Sequence, residues 1–556
     1  MGSVVRMSEG GAAIVPVLIC GGGPVGLALA AELGFQRVNC ILVEQSDGSV
    51  PVPKMSQLTT RTMEFCRRWG IAERVKNAGW PQNHPCDFVY ATSLTGHELY
   101  RQKSPSYAQR PELSYSPEGP RHCPQIFFDP VLLEHVSSLP TVTLRHRTRM
   151  DSFVEESDGV AVNMTDLESG EIKTIRTGYL VGCDGFDGLT RKTLGIEYAG
   201  EGVLSFSVSI FFRSAELTTL HDKGWARFFR VIDANGHWGD LVSIDGRELW
   251  RLTELRVNSD ADISSFDVES CLWKAVGADF SYEVLSVLPW KRRGLVARSY
   301  GRGRVFLAGD AVHQSSPTSG LGMNTGLGDA VDLGWKLAAV IKGWGGDALL
   351  ESYGSERIPV GIVSVADSDR TYRETTLLRG GSAIAQCSAE GERQRIQFAE
   401  DLLARTRGRS DPTSENVKLG YCYHDSPIIC CDGTAGPPED AWDFVPSARP
   451  GSRAPHARIG ENRSVLDLFG HGFVLLRFGK EPAEAQGLVQ AAAARAVPLK
   501  VVNIANQDIE KLYERKLVLV RPDGHVAWRG DEAPSDGLML IDVVRGKLSG
   551  ESRQNA

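Results

Sequence analysis

Short apolar segments alternate with helical ones at the start of the chain. Residues 14–20 are apolar and predict a strand, a glycine-rich turn follows, and residues up to Leu33 predict a helix. A second apolar strand is predicted at 40–43, directly before Glu44. A strand–helix–strand order of this kind predicts an α/β fold with a parallel sheet.

A second patterned stretch lies in the middle of the chain. Residues 305–307 predict a buried strand with Asp310 at its end, and a loop rich in Ser, Pro and Gly leads to a helix expected to begin near Asn324. One face of that helix carries four apolar residues, namely Leu327, Val331, Trp335 and Ala338. Asp332 and Lys336 have the i,i+4 spacing of an ion pair, which we expect on the exposed face.

The remaining pattern divides the chain into further parts. Residues 205–213 alternate between apolar and polar, and with 225–232, 238–244 and 248–255 they predict an antiparallel sheet, a natural roof for a substrate pocket. The predicted organisation is a discontinuous dinucleotide-binding domain (12–200 and 285–405), a substrate-binding sheet domain (201–284), a linker (406–460) and a thioredoxin-like C-terminal domain without a redox dithiol (461–556).

Composition excludes several classes of protein. The 556 residues carry a net charge of −8 with acids and bases intermixed, which does not suit a nucleic-acid partner. The apolar stretch 14–33 is interrupted by Gly21-Gly22-Gly23-Pro24, so we do not expect a membrane span. Glu9 and the glycines around it dilute any apolar region at the N-terminus, so we do not expect a signal peptide. Eleven cysteines without metal or disulfide spacing predict no metal site and a reducing, cytoplasmic location.

The first turn carries a nucleotide-binding fingerprint. Gly21, Gly23 and Gly26 form G-x-G-x-x-G between a predicted strand and a predicted helix, and Glu44 follows about 20 residues later, where an acid bonds a ribose hydroxyl. This context predicts a bound dinucleotide rather than a chance tight turn. Arg61, at the start of a further predicted helix capped by Thr59 or Thr60, suggests an anionic neighbour.

Three motifs in order resemble a known family. They are GGGPVG with Glu44, VGCDGFDG with Arg191, and VFLAGDAVHQSSPTSGLGMNTGLGDAVDLGWKLA, and together they resemble the class A flavoprotein monooxygenases, the aromatic hydroxylases of the para-hydroxybenzoate hydroxylase fold. The segments 450–456 (PGSRAPH) and 521–528 (RPDGHVAW) resemble the branch with a thioredoxin-like C-terminal domain, which includes phenol and polyketide hydroxylases.

This resemblance implies a Rossmann-type FAD-binding domain with an inserted antiparallel substrate sheet. The residues it assigns to the cofactor are Gly21, Gly23, Pro24, Val25, Gly26, Glu44, Gln45, Lys54, Arg61, Gln125, Asp184, Asp310, Pro317, Gly320, Gly322, Met323 and Asn324. Lys54 stands where the family often has Arg, so the charge is kept without the bidentate fork.

The implied reaction is hydroxylation of an aromatic, phenolic substrate through a C4a-hydroperoxyflavin, with FAD, O2 and either NADPH or NADH. Only one dinucleotide fingerprint is present in the sequence, so NAD(P)H is expected to bind transiently. A homodimer is compatible with the resemblance. The alternatives are a flavin-dependent epoxidase or halogenase and a non-catalytic FAD-binding regulator, although the halogenase pattern W-x-W-x-I-P is absent from the sequence.

A phenol becomes a better nucleophile when a base removes its proton. Some phenol hydroxylases carry an Asp at the position of Ser56, so that base is missing here, and His237 is the candidate catalytic residue in its place. The alternative is that His237 is an exposed histidine at a strand end. For His313 we expect a structural role in its loop.

The predicted pocket region is rich in Phe and Trp, which favours an apolar or phenolic ring over a small carboxylate. Four cations lie in or near it, namely Arg213, Arg227, Arg251 and Lys291. They are interpreted as solvated surface residues, and the alternative is that they pair with an acidic substrate.

Overall fold

The computed structural model describes residues 14–257, 266–376, 378–406, 414–438 and 441–547. Its strands in chain order are β1 (Val15–Cys20), β2 (Cys40–Val43), β3 (Gln57–Leu58), β4 (Phe88–Ala91), β5 (Glu98–Gln102), β6 (Arg121–His122), β7 (Val142–Arg145), β8 (Thr148–Glu155), β9 (Val160–Asp166), β10 (Ile172–Gly182), β11 (Tyr198–Arg213), β12 (Phe228–Asp233), β13 (Gly236–Ser243), β14 (Leu249–Val257), β15 (Glu283–Ala297), β16 (Gly301–Arg302), β17 (Val305–Leu307), β18 (His313–Gln314), β19 (Arg458–Gly460), β20 (Arg463–Ser464), β21 (Phe473–Phe478), β22 (Leu499–Ile504), β23 (Leu517–Val520) and β24 (Val526–Gly530).

The helices follow the same order. They are α1 (Pro24–Phe35), α2 (Thr60–Arg68), α3 (Ala72–Lys76), α4 (Gln125–Ser137), α5 (Leu189–Leu194), α6 (Val268–Val276), α7 (Gly322–Ile341), α8 (Ala348–Thr376), α9 (Ala389–Thr406), α10 (Glu415–Leu419), α11 (Gln486–Ala494), α12 (Gln507–Tyr513) and α13 (Gly537–Val544). Among the described residues, no helix combines the length and the apolar character that crossing a membrane requires.

The first sheet confirms the expected α/β fold. Its main path runs β16-β17-β10-β1-β2-β7, and β1 is parallel to both β2 and β10. Because α1 connects β1 to the parallel strand β2, it packs back on the sheet, and its residues from Gly26 to Gly34 are buried. The carboxyl ends of β1, β2, β10 and β17 therefore meet at one edge, the usual place for a ligand in such folds.

The second sheet has eight strands in the order β18-β15-β11-β14-β13-β12-β4-β5. It is larger than the sheet predicted within 201–284, since β4 and β5 come from the segment around 88–102, which the sequence prediction assigns to the dinucleotide-binding part. Phe88 of β4 pairs with Phe228 of β12. The sequence between 83 and 124 contains few strand signals, so this long-range pairing decides where β4 and β5 belong.

The C-terminal part forms a sheet of its own in the order β22-β21-β23-β24. Strands β21 and β22 are parallel across α11, and β23 and β24 form a hairpin across Pro522-Asp523-Gly524. This β-α-β-α-β-β-α order agrees with a thioredoxin-like arrangement. Phe473 and Leu475 of β21 share a core with Trp335 and Trp344, so the C-terminal sheet packs directly on the region of α7.

The helix expected to begin near Asn324 is α7, which begins at Gly322, and one expectation about it needs correction. The pair of Asp332 and Lys336 is not on an exposed face, because the two side chains are 1% and 0% exposed. The i,i+4 spacing does form the predicted ion pair. The C-terminal part of the chain covers this pair, and it lies too far along the sequence for a local pattern to reveal the burial.

Asp332 and Lys336 belong to a buried cluster of charges, completed by Glu356 of α8, Arg521 and Asp523. Lys336 Nζ lies 2.8 Å from Asp332 Oδ2 and 2.6 Å from Glu356 Oε2. Arg521 donates to Glu356 Oε1 at 2.6 Å, to Asp332 Oδ1 at 3.1 Å and to Asp523 Oδ2 at 2.6 Å. Burial raises the pKa of Asp332 to about 8 despite Lys336. The cluster thus joins α7, α8 and the β23–β24 hairpin.

Replacing Arg521 with Met should leave at least two carboxylates buried without their main cation. Removing one partner of a buried ion pair costs about 3–5 kcal/mol, and we expect the urea midpoint of unfolding to fall accordingly. The control is Arg74→Met, since Arg74 is 39% exposed and pairs with the exposed Glu134, a contact worth less than about 1 kcal/mol. Equal midpoints for the two variants would contradict a structural role for the cluster.

Candidate functional site: a cavity between the two large sheets

One large cavity lies between the carboxyl edge of the first sheet and one face of the second sheet. Its volume is about 1720 Å³, above the roughly 300–1,000 Å³ of a site for one small ligand. It therefore has room for a cofactor together with a substrate. Eleven of the residues predicted from the sequence line it, namely Gly23, Pro24, Val25, Lys54, Gln125, His237, Asp310, Pro317, Gly320, Gly322 and Met323.

The turn between β1 and α1 leaves space for a ligand at the start of the helix. Gly21 has φ of +107°, and a Cβ at Gly26 would overlap the carbonyl oxygen of Gly21. Gly23 caps α1 without a side-chain hydrogen bond, and a Cβ placed there would meet no atom within 4 Å. The first amides of α1 are therefore open to the cavity, where the helix dipole favours a phosphate group. Gly21 and Gly26 shape this turn without lining the cavity.

Two predicted acids lie beside the cavity, next to residues of its lining. Glu44 accepts hydrogen bonds from the backbone N–H groups of Gly22 and Ser46, both at 2.7 Å, so its carboxylate is fixed beside the glycine turn. Asp184 accepts from the backbone N–H and the hydroxyl of Thr190, each at 2.9 Å, which holds the start of α5. Its neighbour Gly185 lines the cavity. Gln45, by contrast, is exposed.

The buried carboxylate of Asp329 holds the loop that carries Asp310. Asp329 accepts from Gly309 N–H at 3.2 Å, from Arg357 Nε at 2.8 Å, and lies 2.8 Å from His313 Nε2. Burial would raise the pKa of Asp329, but the charges of Arg357 and His313 outweigh burial and keep it below its ordinary value. These contacts support the expected structural role of His313 and leave the exposed Asp310 facing the cavity.

The start of α7 forms the next part of the wall. Leu321 caps the helix without a side-chain hydrogen bond, so the amides near Gly322 and Met323 are available to the cavity. Asn324 has a structural position instead: its amide nitrogen donates to the carbonyls of Gly320 and Gln57, and its oxygen accepts from Thr59 N–H at 2.9 Å. Asn324 therefore connects α7 to the start of α2, behind the wall rather than on it.

The position of Arg61 differs from the prediction that it contacts the cofactor. Its side chain is buried, pairs with Glu64 at 2.9 Å and donates to the carbonyl of Asp523 at 2.9 Å. The anionic neighbour inferred from its place at a helix start is thus Glu64, and the side chain ties α2 to the C-terminal part. Gln125 does lie on the cavity, with its amide nitrogen 2.9 Å from Asp129, whose pKa burial raises to about 7.

The second sheet presents a polar face to the cavity and an apolar face to α6. We call the cavity-facing side chains the sheet floor. They are Ser209, Arg227 directly before β12, Phe228, Arg230, Asp240, Arg251, Thr253, Leu288, Trp290 and Arg292. The opposite face contains Phe229, Trp238, Trp250 and Leu252 in one buried core. Sequence reasoning missed Arg230, Asp240 and Arg292. Side chains alternate along a strand, so charged residues at every second position of a buried strand are the signal that could have found them.

His237 lies on the cavity wall next to this floor. It is 5% exposed, so the alternative of an exposed strand-end histidine does not hold. Its Nε2 lies 3.0 Å from Oδ1 of Asp240. Burial opposes ionisation of Asp240, but His237 and Arg230 outweigh it and lower the pKa of Asp240 to about 2. An ionised Asp240 would accept a hydrogen bond from Nε2–H of His237, which leaves Nδ1 as the basic nitrogen.

The hydrogen-bond donors and acceptors around the cavity fit FAD. Open helix amides at Gly23 suit its diphosphate, the fixed carboxylate of Glu44 suits its adenosine ribose, Asp310 suits its ribityl hydroxyls, and the α7 amides suit the electron-rich edge of its ring. Within the described ranges no three His, Cys, Asp or Glu side chains are placed to hold a metal ion.

We expect Gly26→Ala to lose most of its FAD, because the new methyl group must push the Gly21 carbonyl and distort the turn. Overpacking of this kind costs about 1–3 kcal/mol, equivalent to a fall in FAD affinity of roughly 10- to 100-fold. The measurement is the flavin-to-protein absorbance ratio of the purified protein. Gly487→Ala in α11 is the matched control, since its Cβ would contact nothing within 4 Å. Equal flavin content in both variants would contradict this assignment of the turn.

Comparison with known proteins supports the same conclusion. Residues 14–368 match the family described as FAD binding domain, and residues 447–545 match that described as aromatic-ring hydroxylase, C-terminal. The tetracenomycin B2 monooxygenase-dioxygenase of Streptomyces olivaceus is 30% identical over 96% of this chain and 98% of its own length.

Two solved structures are similar over almost the whole chain. RebC, soaked with chromopyrrolic acid and containing bound 7-carboxy-K252c, has 40% identity and a TM-score of 0.90 over 96% of this chain and 99% of its own. The flavin-dependent monooxygenase PieE in complex with FAD and substrate has 28% identity and a TM-score of 0.83, covering 95% and 98% of the two chains.

The family matches extend over both the cavity and the C-terminal part, and the motifs that carried the resemblance surround one cavity. The expected family and fold class are therefore confirmed. This chain belongs to the FAD-dependent aromatic-ring hydroxylases, the class A flavoprotein monooxygenases that carry a thioredoxin-like C-terminal domain.

Proposed function

We propose that this enzyme uses NAD(P)H and O2 to hydroxylate a phenolic substrate with more than one ring, held on the sheet floor beside FAD. The observation that carries the proposal is the size of the cavity, about 1720 Å³, which continues from the α1 turn past Asp310 and α7 to the second sheet. One end has the donors that FAD needs, and the other has rings and polar groups. Relatives named as putative polyketide hydroxylases support a fused aromatic substrate.

Bound FAD, once reduced by NAD(P)H, activates O2 and supplies an electrophilic oxygen atom. The residues of this chain provide position and electrostatics. The α7 amides near Gly322 favour negative charge at the ring edge, and Asp310 fixes the ribityl chain.

Arg292 connects the sheet floor to this cofactor loop. It donates to the hydroxyls of Ser316 and Thr318 on one side and to Ser205 on the other. Its side chain therefore sets the distance between the floor, where a ring rests, and the loop that holds the cofactor edge. Trp290, which hydrogen-bonds Ser209 at 3.0 Å, covers the same region and limits the access of water.

The proposed catalytic base is His237. Asp240 orients its ring, and Nδ1 can take the proton of a phenol, which raises electron density on the carbon to be hydroxylated. This role would replace the carboxylate that some phenol hydroxylases have at the position of Ser56.

A cytoplasmic location is part of the proposal. All eleven cysteines lie in the described residues and carry free thiols, and five of them are at least partly accessible, which suits a reducing compartment that also supplies NAD(P)H.

The decisive experiment combines cofactor, coupling and labelled oxygen. The purified protein should be yellow, and a panel of phenols, hydroxybenzoates and hydroxylated fused rings should include compounds that accelerate NADPH or NADH oxidation. With ¹⁸O2, the product of an effective compound should contain one labelled oxygen atom. Stimulated NAD(P)H oxidation with no labelled product from any compound would contradict hydroxylation and favour a non-oxygenating flavoprotein.

For the base, we expect His237→Ala to lower hydroxylation by roughly 10²-fold or more, the usual contribution of a general base, and to divert reduced flavin into hydrogen peroxide. Asp240→Asn should have a similar but smaller effect, because the imidazole of His237 is then no longer held in one orientation by a carboxylate. Peroxide per NAD(P)H consumed is the readout. His135→Ala in α4 is the control, since His135 lies outside the cavity lining. Unchanged coupling in His237→Ala would eliminate this base.

A further inference from the structure

The sheet floor carries more positive charge than its own carboxylate can balance. Arg227, Arg230, Arg251 and Arg292 all line the cavity, and the ion pairs of the floor among described residues run to Asp240, from Arg230 at 3.7 Å and from His237 at 3.0 Å. Arg292 is satisfied by hydroxyl groups of the cofactor loop. Arg227 and Arg251 are left without a carboxylate within the described part of the chain.

Arg227 is 5% exposed and lies between aromatic rings. Its guanidinium carbon is 4.6 Å from the ring centre of Phe88 and 5.2 Å from that of Phe228, and its Nε has no hydrogen-bond partner. Ring faces stabilise a cation but leave its N–H donors unpaired. A desolvated guanidinium with free donors costs free energy unless a ligand accepts them.

Arg251 has a similar environment on β14. One terminal nitrogen donates to the carbonyl of Pro53, while its Nε is buried without a partner. Enclosure in the cavity lowers the pKa of Arg251 to about 10, with Asp240 only partly opposing the effect. The carbonyl contact fixes the direction of the side chain, and the remaining donors are available to a bound molecule.

The two cations lie at the same end of the floor. Arg251 is opposite Val242 of β13, and Val242 is opposite Phe228, the residue after Arg227. Two strand spacings of about 4.8 Å place the Cα atoms of Arg251 and Phe228 roughly 10 Å apart. The buried His122 is close to both arginines. Burial is the main cause that lowers the pKa of His122, and the positive charges of Arg227 and, more weakly, Arg251 lower it further.

The other end of the floor belongs to the cofactor. Arg292 is opposite Ser205 on β11, while Arg251 is opposite Phe211 of the same strand. Six residues of strand correspond to about 20 Å, so the two uncompensated arginines lie far from the loop of Ser316 and Thr318. Between them the floor offers Leu288 and Trp290, surfaces that suit flat rings.

We propose that Arg227 and Arg251 bind a carboxylate of the aromatic substrate, at the end remote from the ring that is hydroxylated. This inference rests on the proposed function for the position of FAD and adds the charge of the substrate. An aryl carboxylate accepts two hydrogen bonds from a guanidinium and supplies the missing counter-charge. The expectation that these arginines are solvated surface residues is corrected, whereas Arg213, which is exposed and pairs with Glu283, fits it.

The test uses the FAD-loaded enzyme and two probes of equal shape, 3-hydroxy-2-naphthoate and its neutral amide, 3-hydroxy-2-naphthamide. Binding is followed by the change in flavin absorbance. The acid should bind at least 10-fold tighter than the amide. Arg227→Met and Arg251→Met should each weaken the acid by about 10-fold and leave the amide unchanged, Arg251→Lys should lose less, and Arg213→Met should match the parent.

Two results would overturn the carboxylate site. One is equal affinity of the parent enzyme for acid and amide, which needs no variant and so remains decisive if a variant fails to fold. The other is an increased KM for NADPH in both Met variants with an unchanged acid-to-amide ratio, which would assign the arginines to the nicotinamide cofactor. Because the titration requires no turnover, a clear preference for the acid without labelled product would contradict only the proposed hydroxylation.

Discussion

The buried charges between α7, α8 and the β23–β24 hairpin constrain the rest of the structure. Lys336 and Arg521 meet Asp332, Glu356 and Asp523 with little or no exposure to water. Each ion would be costly to bury alone, so the cluster is stable only when all three segments are in place. The C-terminal part is therefore an integral support of the cofactor-binding helix, although it has no redox dithiol of its own.

Helix α7 transmits this constraint to the cavity. Its first turn offers free amides beside Gly322, its middle carries Asp329, which fixes the Asp310 loop through Gly309 and His313, and its second half enters the charge cluster. One helix of 20 residues thus positions both the amides and the Asp310 loop that are proposed to bind FAD. Groups positioned in this way need little reorganisation when charge develops during a reaction.

The second sheet shows how alternation along strands separates stability from chemistry. One face buries Trp238, Trp250 and Phe229 against α6, and the other places arginines, Asp240 and hydroxyl groups on the cavity. The apolar face holds the sheet together, and the polar face is free to bind a ligand. The uneven charge of that polar face distinguishes this site from a simple apolar slot for a phenol.

The local elements and the family could be predicted from the sequence alone, because glycine spacing, strand-end acids and helix periodicity depend on neighbouring residues. The cofactor roles of the α1 turn, Glu44, Asp310 and the start of α7 were predicted from the same local patterns and from the family resemblance. What covers each surface followed from the tertiary structure. It buried Asp332 and Lys336, moved Arg61 and Asn324 behind the cavity wall, added β4 and β5 to the second sheet, and enclosed Arg227 and Arg251. Burial depends on segments hundreds of residues away, and no local pattern records them.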